Sequence, residues 1–238
     1  MDLRTIPGET DNTRAYAALK RTVLAGGFSP GEVVTLRALA ERLKFGDTPV
    51  REAIKRLISE GAFEALPNRS ARVPVLDRRE VQQILELRSE LESRAAALAA
   101  QNITLLQIER LRLMHEEMDQ AVRTHDAERY GELNLAFHFE LYRIADNRTL
   151  ATLIEALWLR MAPLVVRNLD FITRDPERAW EACGHHEALL AALQMRDAEG
   201  ARAAMRDDLS VLPGMDGFWA VIDETAADTT STRSRNSP

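Results

Sequence analysis

In the second half of this 238-residue chain, a few polar side chains fall where apolar ones would be expected. Asn134 and His138 lie four residues apart and so project from one face of a helix. His186 falls on an apolar stripe with Ala182, Leu189, Leu190 and Leu193, and Asp208 belongs to the helix that follows. Imidazole and carboxylate are ligands for a divalent cation, but histidines on apolar helix faces are also satisfied by hydrogen bonds within a core. Both readings stand at this point. Arg88 interrupts the inner stripe formed by Val81, Ile84, Leu85, Leu91, Ala95 and Leu98. A buried guanidinium needs an acidic partner, which is either an internal Glu or Asp or the carboxylate of a ligand held by two hydrogen bonds.

A second chemistry lies near the N-terminus. Residues 35–59, TLRALAERLKFGDTPVREAIKRLIS, read as two short helices joined by a turn. Thr35 caps the first, which buries Leu36, Leu39, Ala40 and Leu43; Gly46 supplies the unusual backbone angle of the corner; Thr48 caps the second and Pro49 opens it. Val50, Ile54, Leu57 and Ile58 form the buried stripe of that second helix, leaving Arg51, Glu52, Lys55, Arg56 and Ser59 outside. Arg51 sits in the first turn, where the helix dipole disfavours a cation, so its placement calls for an external anion or base edge. Two extended runs, residues 62–66 and 71–75, flank the turn Pro67–Ser70 and make a basic-tipped hairpin with Arg69 and Arg72. A helix-turn-helix followed by such a hairpin is a winged-helix module, suited to placing its second helix in the major groove.

The elements that must carry these groups are mainly helical. A first amphipathic helix, residues 12–25 with Tyr16, Leu19, Val23 and Leu24, closes the winged module, and Pro30–Gly31 suit a type II turn. Beyond the wing the pattern predicts helices over 78–101, 104–124, 126–145, 149–170, 176–195, 197–211 and 215–224, with Pro163 kinking or dividing the fourth. The expected organisation is a flexible arm at 1–11, a winged helix-turn-helix domain at 12–76, an all-helical domain at 77–224 and a disordered tail at 225–238. The chain has a net charge of −6, but residues 1–75 hold 12 Lys+Arg against 9 Asp+Glu, a balance of +3, and the remainder is −9. DNA binding by a local patch fits that division. No segment is read as a membrane span or signal peptide, so a cytoplasmic location is expected; the single Cys183 excludes an internal disulfide framework.

Residues 1–75, with PGEVVTLRALAERL and TPVREAIKRLISEG, resemble the winged-helix domain of the GntR family of bacterial transcription regulators. NLAFHFELYRIADN and HEALLAALQMRDAEGARAAMRDDL resemble the all-helical effector-binding FCD domain of that family's FadR branch. The resemblance implies a homodimer that binds a palindromic double-stranded DNA operator and responds to a small carboxylic acid. It implies DNA contacts at Arg37 and Arg51, to which placement adds Thr48, Lys55, Arg69 and Arg72. It also implies a divalent metal (Zn, Ni or Mn) at Asn134, His138, His186 and Asp208, and an effector contact at Arg88. Three departures are visible: Gly46–Asp47 replace a common Ser-Arg pair, the wing lacks its usual glycine, and Asp208 replaces a histidine. The competing class is a metal-dependent helical enzyme acting on a small acid, but neither a Glu-x-x-His pair nor a His-Glu-x-x-His motif supports it.

Overall fold

The computed structural model describes residues 10–67, 70–174, 176–214 and 216–235. The winged module runs α1 (Asp11–Leu24), β1 (Val33–Thr35), α2 (Leu36–Leu43), α3 (Asp47–Ser59), β2 (Glu64–Leu66) and β3 (Ser70–Arg72). The strands form an antiparallel sheet in the order β1-β3-β2, with Val34 opposite Ala71 and Ala65 opposite Ala71 on its other side. The hairpin expected from the sequence is therefore completed by a third strand, β1, whose buried Val34 between exposed neighbours is too short a pattern to predict.

The corner between α2 and α3 differs from the sequence expectation. Its left-handed residue is Lys44, at φ 58°, whose N–H closes on the Ala40 carbonyl; Gly46 has an ordinary φ of −69° and is the N-cap of α3. Helix α3 thus begins one residue before Thr48, and no side chain caps it. Arg69 and Asn68 lie outside the described residues.

The helical domain comprises α4 (Arg78–Asn102), α5 (Leu105–Arg123), α6 (Ala127–Ile144), α7 (Arg148–Arg174), α8 (Pro176–Gln194), α9 (Ala198–Val211) and α10 (Asp216–Arg235). Capping boxes at Asp77/Glu80 and Thr104/Gln107 start α4 and α5 as their sequences dictate. Pro163 does not divide α7, which continues through it. Helix α10 extends to Arg235, so the polar stretch from 225 is helical as far as it is described: no glycine or proline follows Gly217 before Pro238 to stop it. Residues 1–9 of the expected arm lie outside the described residues, and α1 already begins at Asp11.

One stretch of α7, Arg148–Val166, has the length and mean hydropathy of a membrane span, contrary to the sequence reading. It is a core helix. Ile154, Trp158, Leu159, Met161 and Ala162 are buried within the bundle, and Glu155 pairs with Lys20 of α1 at 2.6 Å. The winged module rests on this same helix. Arg160 packs beside Gly61 and reaches Glu80, while Gly26, at φ +69°, sits against Val166 so closely that a Cβ there would lie 2.4 Å from the valine Cβ. Only glycine meets both demands at once. Gly26→Val should therefore cost about 2–4 kcal/mol through backbone strain and overpacking, read as a lowered urea midpoint with an unchanged slope.

Candidate functional site

Helices α4, α6, α7, α8 and α9 enclose a polar centre inside an apolar bundle. Helix α6 carries His138 inward because Tyr130, Leu133, Phe137 and Leu141 occupy the rest of its buried face; α8 does the same for His186 beside Leu189, Leu190 and Leu193. Asp208 follows Ala201, Ala204 and Met205 on α9. His138 Nε2 lies 3.3 Å from one Asp208 oxygen, His186 Nε2 lies 3.3 Å from the other, and the two Nε2 atoms are 3.4 Å apart. Three donor atoms thus face one point. A tetrahedral ion with bonds of about 2.0–2.1 Å holds its ligands about 3.3 Å apart, close to the 3.4 Å between the two Nε2 atoms, and one Asp208 oxygen lies within 4.8 Å of both.

Protonation states agree with that fit. Burial depresses both imidazoles, opposed by Asp208 at His138 and reinforced by His115 and His185 at His186: His138 falls to about 4 and His186 to about 3, so both are neutral at pH 7. Burial raises Asp208, opposed by His138. Neutral imidazole and a carboxylate are the ligand forms.

The tautomer of His138 follows from its outer neighbours. Tyr142 donates its hydroxyl hydrogen to Glu92, so its oxygen, 3.3 Å from His138 Nδ1, is left to accept. This neighbour favours a proton on Nδ1, the tautomer that leaves the Nε2 lone pair toward Asp208 for a cation. Glu92 is held in turn by Arg88, at 2.6 Å from Nε, and the guanidinium lies over the Trp158 ring at 4.1 Å. Burial works against the Arg88 charge but Glu92 outweighs it, so the arginine stays cationic. Of the two partners open to Arg88, the internal one is present.

Arg88 nevertheless borders a cavity of about 60 Å³, shared with Asn134, Tyr130, His138, Trp158 and Asp208 and walled by Leu85, Val165, Leu209, Val211 and Leu212. Asn134 is therefore placed on the wall of the same chamber as the three ligand candidates.

The cationic face of the winged module is more engaged than its sequence suggests. Arg37 is 90 % exposed and bonds Glu41 at 3.0 Å; Lys55 is exposed and bonds Glu52 at 2.9 Å; Thr48 is exposed. Arg72 grips Glu64 across the β2–β3 pair. Arg51 is half-buried rather than outward-facing. Its Nε has no partner among the described residues, and it lines a cleft of about 420 Å³ between α3 and the sheet, with Leu36, Ile54, Ile58, Ala65 and Leu66.

Comparison with known proteins agrees with this architecture. The model of "bacterial regulatory proteins, gntR family" matches residues 12–73, and that of the FCD domain matches residues 83–210. The HTH-type transcriptional regulator McbR of Escherichia coli (strain K12) is 33% identical over 189 residues, 79% of this chain and 85% of that protein. The chain belongs to the GntR family.

This GntR regulator also resembles the HTH-type transcriptional repressor RspR of the same organism, 26% identical over 85% of the chain and 87% of the relative. The solved structure of E. coli McbR/YncC superposes with a TM-score of 0.80 at 29% identity, covering 92% of this chain and 99% of that one. These relatives are transcription regulators, which sets aside the enzyme reading. Within the GntR regulator, three of the four metal candidates meet at one point, Asn134 and Arg88 border the cavity beside it, and Arg69 lies outside the described residues. Glu92 and Tyr142 were missed. An i,i+4 relation to Arg88 marks Glu92 as its partner, whereas nothing in the local sequence marks Tyr142.

Removing one member of a buried ion pair leaves an uncompensated charge, whereas removing both does not. Glu92→Ala should accordingly cost about 3–5 kcal/mol, and adding Arg88→Met to Glu92→Leu should recover most of that loss, as measured by urea unfolding.

Proposed function

We propose that operator binding by this GntR-family transcription regulator is controlled by a small carboxylate held in the helical domain, beside a divalent cation ligated by His138, His186 and Asp208, with Asn134 at the same chamber. The convergence of three ligand atoms, beside a cavity lined by the Arg88 guanidinium, is the observation that carries this reading. The ion would offer open coordination positions to the acid. Arg88 supplies fixed positive charge on the cavity wall, oriented by Glu92 and Trp158. Leu85, Val165, Leu209 and Leu212 favour an apolar body on the ligand. At about 10–15 Å³ for each water-sized occupant, the cavity takes a ligand of roughly four to six non-hydrogen atoms.

The route to DNA runs along α7. Trp158 and Val165 border the cavity, and Glu155, Arg160 and Val166 on that helix touch the winged module. A ligand that favours one setting of α7 shifts the population of winged-module placements, and a homodimer on a palindromic operator loses affinity when its two modules no longer match the half-sites. Arg37, Thr48, Arg51 and Lys55 are the described groups proposed to meet DNA, with Arg72 bracing the wing through Glu64.

The deciding experiment is thermal-shift screening of tag-free, chelator-treated protein against small mono-, di- and hydroxycarboxylates, with and without Zn²⁺, Ni²⁺ or Mn²⁺. A stabilising acid that requires the ion is the expected result, since binding to the folded state alone raises the melting temperature. The Arg88→Met/Glu92→Leu variant should keep its operator affinity and lose the response; an undiminished response in that variant would remove Arg88 from the effector site. On the DNA side, Arg37→Ala should weaken operator and unrelated duplex alike and lower the slope of log affinity against log salt by about 1, read by fluorescence anisotropy.

A further inference from the structure

The two histidines of the cluster are not supported alike. His138 Nδ1 has the Tyr142 hydroxyl at 3.3 Å, but Nδ1 of the fully buried His186 has no partner among the described residues. Two further orphaned atoms belong to α5, the helix packed on that side of α8: Nδ1 of the buried His115 and Oδ1 of Asp119. The His115 ring meets the His186 ring edge-on at 6.1 Å, and its Nε2 is 4.0 Å from the other Asp119 oxygen. Cys183 closes the group, its thiol pushed up to about 12 by burial and by the neighbouring Asp119 carboxylate. Two imidazole nitrogens and a carboxylate oxygen left unpartnered in one neighbourhood supply the two to four polar partners that an ordered interior water needs.

We infer that Asp119 is a positioning residue for His186: one buried water accepts from His186 Nδ1–H and donates to the Asp119 carboxylate and to His115 Nδ1, which leaves the His186 Nε2 lone pair toward His138 and Asp208. Without that acceptor, His186 gains by placing its proton on Nε2 and donating to Asp208, which closes the three-ligand point with an ordinary hydrogen bond. Asp119 thereby decides between a ligand set and a satisfied core. The consequence for metal affinity rests on the metal reading of the site, whereas the tautomer itself does not. Loss of such an outer partner costs 10–100-fold in metal affinity.

Imidazole tautomers are read from long-range ¹H–¹⁵N correlation spectra of the full-length, chelator-treated protein, and zinc affinity from competition with a chromophoric chelator. The wild type is expected to hold His186 with its proton on Nδ1. Asp119→Leu should move it to Nε2 and weaken zinc 10–100-fold, with the far-ultraviolet circular dichroism unchanged and the metal-free melting temperature equal or higher, since an unpaired buried oxygen is removed. His115→Phe keeps the ring packing and should weaken zinc several-fold; no change there would overturn the place given to His115. A wild-type spectrum with the proton on Nε2, or an Asp119→Leu protein with an unaltered tautomer, would overturn the inference. The wild-type spectrum decides even if the variant does not fold. Wild-type protein that binds no zinc yet carries the Nδ1 proton would sink the metal reading and leave the role of Asp119 intact.

Discussion

A guanidinium and a carboxylate buried side by side in a helical bundle are costly unless every remaining polar atom near them is answered. The Arg88–Glu92 pair goes most of the way to this condition by extending itself: Trp158 covers the cation, although its own Nε1 has no partner among the described residues, Tyr142 donates a hydrogen bond to the anion, and His138 Nδ1 faces the Tyr142 oxygen. Each link fixes the next. Because the chain ends at a ring nitrogen with a lone pair, the ion pair acts at a distance from its own position by dictating what His138 presents to Asp208. The bundle around it supplies the dry walls that make such ordering strong, since a low local dielectric strengthens satisfied hydrogen bonds and penalises open ones equally.

The same logic explains why the polar residues are spread over several helices. No single helix could bring two imidazoles and a carboxylate within 3.3–3.4 Å of one another without exposing part of its face to its neighbours' apolar side chains. Distribution over α6, α8 and α9 lets each helix keep an almost complete apolar stripe and contribute one polar group to a common centre. The capping boxes of α4 and α5 and the Asp197 cap of α9 set where those helices begin, and hence which residue reaches the centre.

Much of this was legible in the sequence for a physical reason: helix starts, buried stripes and interruptions of those stripes are local signals. Asp77, Thr104 and Asp197 announce their helices, and Arg88, His138 and His186 stand out because they break apolar faces. What was not legible depends on partners distant in the chain. Val33–Thr35 becomes a strand only because β3 lies beside it. Lys44 takes the left-handed angle expected of Gly46, since a helix C-cap can force that conformation on a lysine. Arg51 reads as exposed until the sheet arrives to half-bury it. The helix through 225–235 is likewise invisible to composition, which weighs the absence of apolar residues and not the absence of a stop signal.

Pro163 lies in α7 between Trp158, at the cavity, and Val166, at the winged module. Proline has no N–H to offer the carbonyl four residues earlier, so the ladder is one rung short near Leu159. A rod notched in this way is more compliant at the notch than elsewhere along its length. Its two ends can tilt relative to each other while each stays fully wound, and since each half carries both a cavity residue (Trp158 before the notch, Val165 after it) and a contact with the winged module (Glu155 and Arg160 before, Val166 after), a change of tilt is felt at the chamber and at the DNA-reading module together.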